Sequence, residues 1–299
     1  MTQQEDTVSS TGRVSTEATD NAAYHALTDV VSKSHLDLVA RSPKHYWARF
    51  LDPDRIEHEP TAAMQLGTAV HTYVLELDQW DARYFVAPEK VNRTTKAGKE
   101  TWAAYQAEAN GREILSRDDF ATVLQMSRGI YSHPVAAMLL GKTGQAEGTY
   151  MWSDDATGLR CKCRPDYLLS DGSVIVDLKT TEDASPEGFR ASIGRYRYFV
   201  QSAWYLAGLE KATGKRPEKF VFVAVEKKPP YVCGVYEADA QMIEIGWEVA
   251  CRDLARIAEC RAANSWPGYS EQLETISLPP WMRPRADGVM PTIQEIQGF

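Results

Sequence analysis

RPDYLLSDGSVIVDLKTT, residues 164–181, decides the fold. Two β-rich runs, PDYLL and SVIVDLKT, flank Asp171-Gly172, and an Asp-Gly pair between such runs is a strong signal for a two-residue hairpin. With those two residues as the loop, Ser170 faces Ser173, Leu169 faces Val174, Tyr167 faces Val176 and Asp166 faces Asp177. Directly opposed Cβ atoms lie about 4.5–5.5 Å apart, a spacing at which like charges repel. Alternation along the strand puts Lys179 on the face of Asp177, and Asp166 joins them there. The register therefore predicts two acids and a lysine on one small patch.

The residues leave two explanations open. In one, the lysine bridges the acids in a solvated ion-pair cluster, which contributes little. In the other, a divalent cation lies between the carboxylates and the lysine is aimed at a phosphate or a water. SVIVDLKT is apolar up to Asp177, as in a central strand, where an unpaired acid is costly and a cation would remove the repulsion.

Outward from the hairpin, the chain reads as α/β. Upstream, a short helix is expected near Ser34–Val39, and Pro43 can open another. Thr61–Leu77 carries Met64, Gly67, Val70, His71 and Val74 at three- and four-residue steps, one face of a helix. KVNRTTKAGKETW reads as a basic loop running into a helix from about Glu100, and Asp118–Leu140 as a helix broken near His133-Pro134. GTYMWSD, GLRCKCRPDYLL and SVIVDLKT follow as three strands. RYFVQSAWYLAGLEKATGK is a helix ending at Gly214, KFVFVAVEK and YVCGVYEA are two strands joined by a Lys-Pro-Pro turn, and Asp239 caps a long helix. The expected division is a disordered leader over 1–20, one domain over 21–265 and a proline-bearing surface tail over 266–299.

Composition narrows the class. Of 299 residues, 43% are apolar and 25% charged, ordinary globular values, and no apolar run is long enough for a membrane span. The first twenty residues lack the apolar core of a signal peptide. Five scattered cysteines (161, 163, 233, 251 and 260) include only one close pair, which suits reduced thiols better than a zinc or iron–sulfur site. A net charge of −8 argues against a simple basic nucleic-acid coat, though not against an enzyme with a local basic groove.

Pro165-Asp166 followed by Asp177-Leu178-Lys179 resembles the PD-(D/E)xK nuclease signature. His71 in GTAVH and Gln201 with Tyr205 in VQSAWY are similar to the histidine and Q-x-x-x-Y motifs of its RecB-like branch, the last two on one helical face. SPKHYW, RTTKAGKE, CKCRPDYL and YRYFVQSAWY together resemble the nuclease domain of the RecE exonucleases (exonuclease VIII), a phage recombination family, from about Ser34 to Tyr205. The resemblance implies a restriction-endonuclease-like αβββαβ core with a mixed central sheet flanked by helices. It implies a metal-dependent exodeoxyribonuclease that degrades linear double-stranded DNA from 5′ to 3′ and yields single strands for recombination by annealing. The implied partners are duplex ends, a RecT-like annealing protein and further copies in a homo-oligomeric ring, in the cytoplasm of a bacterial host. Asp166 and Asp177 would ligate Mg²⁺ or Mn²⁺ with the Leu178 carbonyl and His71, the last favouring Mn²⁺. Lys179 would position or activate water, and Gln201 and Tyr205 would orient the DNA backbone or the lysine–water pair.

Rival readings accompany these assignments. By itself His71 reads as a core histidine, and Gln201 and Tyr205 as ordinary packing residues; the resemblance reverses the preference for His71. Glu147 is either a further carboxylate or a solvated acid before a glycine. Arg190, Arg195 and Arg197, interleaved with aromatics, suit a DNA backbone, and Arg93, Lys96 and Lys99 form a basic loop suited to a terminal phosphate or to solvent alone. KAGKET lacks the upstream glycine of a nucleoside-triphosphate loop. The alternatives are another RecB-like nuclease, Cas4-like or single-strand-preferring, or a non-catalytic DNA-binding scaffold; the missing four-cysteine cluster weakens the Cas4-like version.

Overall fold

Val174–Thr181 is covered on both faces, which is why it reads as an almost unbroken apolar run before Asp177. The computed structural model describes residues 13–14, 21–56, 60–279 and 282. The helices are α1 (Asn21–Ala26), α2 (Lys33–Arg41), α3 (Pro43–Phe50), α4 (Ala62–Leu75), α5 (Trp80–Arg83), α6 (Lys96–Ala109), α7 (Arg117–Ser132), α8 (Pro134–Leu140), α9 (Pro186–Arg195), α10 (Tyr198–Thr213) and α11 (Ala240–Ala263). The strands are β1 (Arg13–Val14), β2 (Tyr84–Val86), β3 (Glu113–Leu115), β4 (Gly144–Ala146), β5 (Tyr150–Ser153), β6 (Arg160–Cys163), β7 (Tyr167–Leu169), β8 (Val174–Thr181), β9 (Lys219–Glu226) and β10 (Cys233–Glu237). Helix starts carry their expected chemistry: Pro43, Pro134 and Pro186 open helices, Asp239 accepts from Met242 N–H, and Gly214 ends α10 with φ +77°.

The main sheet has the order β10-β9-β8-β7-β4 and is antiparallel except between β8 and β9, whose parallel pairing is connected through α9 and α10. It is a mixed sheet flanked by helices, as expected. Ile175, Phe220 and Phe222 pack with Trp204, Leu206 and Leu254 of α10 and α11. Val176, Leu178, Val221 and Val223 pack with Val70, Met126 and Ile130 of α4 and α7. Two cores thus sandwich β8, and its polar residues can only lie near its C-terminal end. Among the described residues, no helix is long and apolar enough to cross a membrane.

The hairpin register holds where strand pairing exists: Tyr167 faces Val176 and Leu168 faces Ile175. Its turn is longer than two residues. Gly172 takes φ +68° but Asp171 does not adopt the positive φ that a tight Asp-Gly turn requires. Instead the Asp171 carboxylate accepts from Ser173 N–H at 2.8 Å, and Gly172 N–H donates to the Leu169 carbonyl at 2.7 Å. GLRCKCRPDYLL is not one strand either. It breaks at Arg164-Pro165-Asp166, since proline cannot donate to a ladder, and β6 joins β1 and β5 in a separate antiparallel sheet. The neighbour of β7 is β4, not the expected GTYMWSD strand. Helix α6 starts at Lys96 rather than near Glu100, because Thr95 caps it by accepting from Gly98 N–H at 3.1 Å.

Of the expected leader, Arg13–Val14 pairs with Trp152 and Met151; residues 1–12 and 15–20 lie outside the described residues. The start of the expected tail lies against α2 and α3, with Trp266 stacked on Tyr46 at 5.2 Å and Lys44 N–H bonded to the Pro267 carbonyl at 3.0 Å. Residues 280–281 and 283–299 lie outside the described residues.

Helices α10 and α11 are held close by Gly246, where an added Cβ would lie 2.1 Å from the Phe199 carbonyl oxygen. Gly246→Ala is expected to lower stability by roughly 1–3 kcal/mol, measured as a shift in urea midpoint. Helix propensity alone predicts a gain of about 1 kcal/mol for the same change, so the sign of the shift tests the close approach.

Candidate active site

Strand pairing stops at Tyr167, which leaves Asp166 in a bend and not as a cross-strand partner of Asp177. Its carboxylate turns into the sheet, where Oδ2 accepts from Leu178 N–H at 2.8 Å. The Leu178 carbonyl oxygen, in the next peptide unit, lies 2.8 Å from His71 Nε2, which is also 3.1 Å from Asp166 Oδ2. His71 Nδ1 is 2.8 Å from the Gly67 carbonyl one helical turn earlier. A carbonyl oxygen can only accept, so both ring nitrogens carry protons and the imidazole is cationic. Burial opposes that charge, but Asp166 outweighs it and raises His71 to about 9. Asp166 is buried too, which would raise it; the imidazolium and its hydrogen bond win and hold it below its ordinary value.

Asp177 shares the face of β8 that packs on α10 and is fully buried there. Gln201 Nε2 donates to its Oδ2 at 2.7 Å, and its Oδ1 forms an ion pair with the Lys179 ammonium but has no hydrogen bond of regular geometry. Burial raises Asp177 to about 6 despite Lys179. Lys179 would be lowered by burial, and Asp177 and Asp166 together push it above its ordinary value. It is therefore an ammonium at neutral pH, fit to donate and to offset anionic charge rather than to accept a proton. Tyr205, one turn beyond Gln201, packs edge-on to Phe220 with ring centroids 6.2 Å apart, and its hydroxyl makes no hydrogen bond among the described residues.

The structure thus brings His71, Asp166, Asp177, Leu178, Lys179 and Gln201 together, but as two pairs joined through Leu178. Among the described residues no three His, Cys, Asp or Glu side chains form a ready metal cluster. Each carboxylate is occupied by a protein cation. The donor set still suits a divalent ion: two carboxylates, a backbone carbonyl and an imidazole, with Asp177 Oδ1 short of a hydrogen-bond donor.

A groove of about 940 Å³ opens beside these groups, lined among others by His71, Glu147, Arg164, Arg195, Tyr196 and Tyr198. Arg195 is the basic residue from the expected set that lines it. Arg190 is exposed beside Glu187 at 3.6 Å, and Arg93 covers the Trp102 ring at 3.7 Å. Arg93, Lys96 and Lys99 do not line the groove, and Lys96 and Lys99 belong to the first turn of α6 instead of a loop. Arg197 is corrected outright as a backbone-phosphate contact. Its guanidinium is committed internally, to the Leu36 carbonyl at 3.0 Å, to Asp37 at 3.4 Å and to the buried Asp253. Sequence reasoning passed over Arg164, Tyr196 and Tyr198. Arg164 directly precedes Pro165-Asp166, and the two tyrosines flank Arg197, so adjacency to the motifs was the available signal.

Glu147 has φ +51°, and its N–H donates to the Asp166 carbonyl at 3.1 Å. Burial first, then the Asp166 charge, raise its carboxyl to about 7 from an ordinary 4.5. A raised acid contributes stability fully below its unfolded value, and that contribution is lost as pH rises through the folded one. Glu147→Gln should therefore raise the thermal midpoint of the metal-free protein in EDTA by a few degrees at pH 8.5 and leave it nearly unchanged at pH 4. An equal or lower midpoint at pH 8.5 would mean that Glu147 is solvated.

With the geometry in place, comparison with known proteins is informative. A PDDEXK-like domain of unknown function (DUF3799) matches residues 32–279. No curated protein matches the chain. Among solved structures, a provisionally named exonuclease from Eubacterium rectale is similar over 94% of this chain and 99% of its own, at 14% identity and a TM-score of 0.60, which shows a shared fold. An alkaline exonuclease from Laribacter hongkongensis matches 57% of this chain and 86% of its own at 19% identity, but its TM-score of 0.27 is too low to bear on the fold. The matched span holds His71, the Asp166 bend, the Asp-x-Lys of β8 and the Gln201 helix, and the chain belongs to the PDDEXK-like DUF3799 family.

Proposed function

We propose that the protein is a metal-dependent exodeoxyribonuclease acting on linear double-stranded DNA, with 5′ to 3′ polarity, to supply single strands for annealing-based recombination. The observation that carries the nuclease reading is the buried Asp177–Lys179–Gln201 group on β8, joined through Leu178 to Asp166 and His71. A buried group of two acids, two cations and an amide beside a groove is more than an ordinary surface ion pair requires. Family membership and the fold shared with the Eubacterium rectale protein support the same reading. Polarity, the duplex preference, the RecT-like partner and the ring rest on the RecE resemblance.

Mg²⁺ or Mn²⁺ would be held by Asp166, Asp177, the Leu178 carbonyl and His71, and when bound would supply Lewis acidity toward a phosphate oxygen and a more acidic water. His71 would give up the proton it now shares with Asp166 in order to ligate. Lys179, an ammonium held over the Tyr198 ring, orients water and offsets charge on the phosphorane-like transition state. Gln201 fixes the rotamer of Asp177 by donating to its second oxygen, so it acts as a positioning residue. Tyr205 supports α10 through Phe220.

Linear duplex, nicked circle and closed circle incubated with Mg²⁺ or Mn²⁺ test the reading. Nucleotide release is expected from linear duplex, none from closed circles, and none with EDTA. Asp177→Asn and Lys179→Met should each lower release by at least about a hundredfold while circular dichroism stays native. Separate labels on the 5′ and 3′ termini report polarity. No metal-dependent release from linear DNA, or digestion of closed circles, overturns the proposal; faster attack on single strands would favour the single-strand-preferring alternative.

A further inference from the structure

The junction between α9 and α10 does something that neither helix could do alone. Arg197 takes φ +54°, a left-handed conformation that residues other than glycine and asparagine rarely adopt. Its bonds to Leu36, Asp37 and Asp253 hold it there. Side chains two apart on a regular helix point in different directions, but across this kink Tyr196 and Tyr198 stack, with centroids 5.6 Å apart and 29° between the planes. Lys33 Nζ fixes the outer end by donating to the Tyr196 carbonyl at 2.8 Å.

The stack has an inner and an outer ring. Tyr198 is partly buried, backed by Phe189 and Phe222 at 6.0 and 5.9 Å, with Lys179 Nζ 4.9 Å from its centroid. Tyr196 is 49% exposed, and both rings line the groove that His71 and Glu147 also line. The Arg195 guanidinium lies 5.6 Å from the Tyr196 centroid, farther than the about 3.5–4 Å of face-to-face contact, so it does not close the ring off. An exposed tyrosine alone means nothing. An exposed ring that extends an aromatic stack beginning at the catalytic ammonium, on the wall of the same groove, is placed to receive another flat ring.

We propose that Tyr196 is the stacking platform for one nucleobase of the strand whose phosphodiester Lys179 faces. The proposal rests on the nuclease reading above and names its substrate more closely. A base still stacked within a duplex offers no free face, so the nucleotide at the site is unpaired and splayed from its neighbour. Every base has a π-face, so the contact is indifferent to sequence. Arg195, at the rim of the ring, can lie on the outer face of the bound base or reach its phosphate.

A binding cycle tests this. A short labelled single strand and an abasic strand of equal length are titrated against wild type, Tyr196→Ala and Tyr196→Phe, in EDTA and low salt so that no turnover occurs. The platform predicts that wild type prefers the base-bearing strand and that Tyr196→Ala loses about tenfold or more on that strand and little on the abasic one. Tyr196→Phe keeps the wild-type preference, since stacking needs the ring and not the hydroxyl. Equal losses on both strands, no loss on either, or no base preference in wild type overturn the platform. Metal-dependent nucleotide release by wild type is measured beside it. Release without a base-dependent effect of Tyr196 overturns the platform alone, whereas absence of release overturns the nuclease reading beneath it.

Discussion

Leu178 is held by both of its backbone polar groups, its N–H by Asp166 and its carbonyl by His71, while His71 and Asp166 also hold each other. Three separate pieces of chain meet there: the bend before β7, the middle of α4 and the last half of β8. A backbone N–H and carbonyl in a central strand would ordinarily be satisfied by neighbouring strands. Because β7 ends early, side chains do that work, and they are charged. The pair is partly buried, where removing either partner leaves the other uncompensated and costs far more than a surface pair would. This linkage fixes α4 against the sheet and so sets one wall of the groove.

The other wall depends on Asp177. Its charge is buried and tolerated because Lys179 and Gln201 answer it. Gln201 must therefore stay where it is, which requires α10 to enter the sheet at a fixed angle. Arg197 sets that angle at the cost of a left-handed backbone, roughly 1–2 kcal/mol for a residue with a Cβ, offset by its bonds to Asp253, Asp37 and Leu36. The two walls are electrostatically coupled, with Asp166 acting on both Asp177 and Lys179. They communicate through the short reach of β8 from Asp177 to Lys179, whose odd positions face α10 and whose even position faces α4.

This division explains what could be read from the residues. Hydrophobic periodicity and capping chemistry located α4, α7, α8, α10 and α11 and the pairing of Tyr167 with Val176, because each depends on residues close in sequence. Reading Asp-Gly as a tight turn failed on Asp171, whose carboxylate found Ser173 N–H and made a longer loop. Reading GLRCKCRPDYLL as one strand failed on Pro165, whose effect was to send β6 to another sheet and free Asp166 for Leu178. The site acids were legible as a motif, yet the grip of Asp166 on Leu178 N–H was not, since it follows from where β7 stops. Arg197 was misread for a related reason. A basic residue among aromatics has the same composition whether it contacts a phosphate or an aspartate 56 residues away in another helix, and only the packing of α2 and α11 decides.

Those internal commitments bear on how an acidic chain can handle a polyanion. Much of the positive charge along the groove is already paired: Arg83 with Glu76 at 2.6 and 2.8 Å, and Lys227 with Glu182 at 3.1 Å. A groove of paired charges offers a backbone little counterion release, so affinity built on phosphates alone would be weak and only shallowly salt-dependent. What the groove presents instead is a small number of directed groups: the Tyr198 ring with the Lys179 ammonium behind it, the Tyr196 ring on its wall and the Arg195 guanidinium at its rim. Such a surface discriminates by shape. On the proposed reading it would reward a strand end that can place one flat base and one phosphate at a fixed separation and would gain little from the length of duplex behind it. An overall negative charge then helps, because it repels DNA everywhere except where those three groups converge.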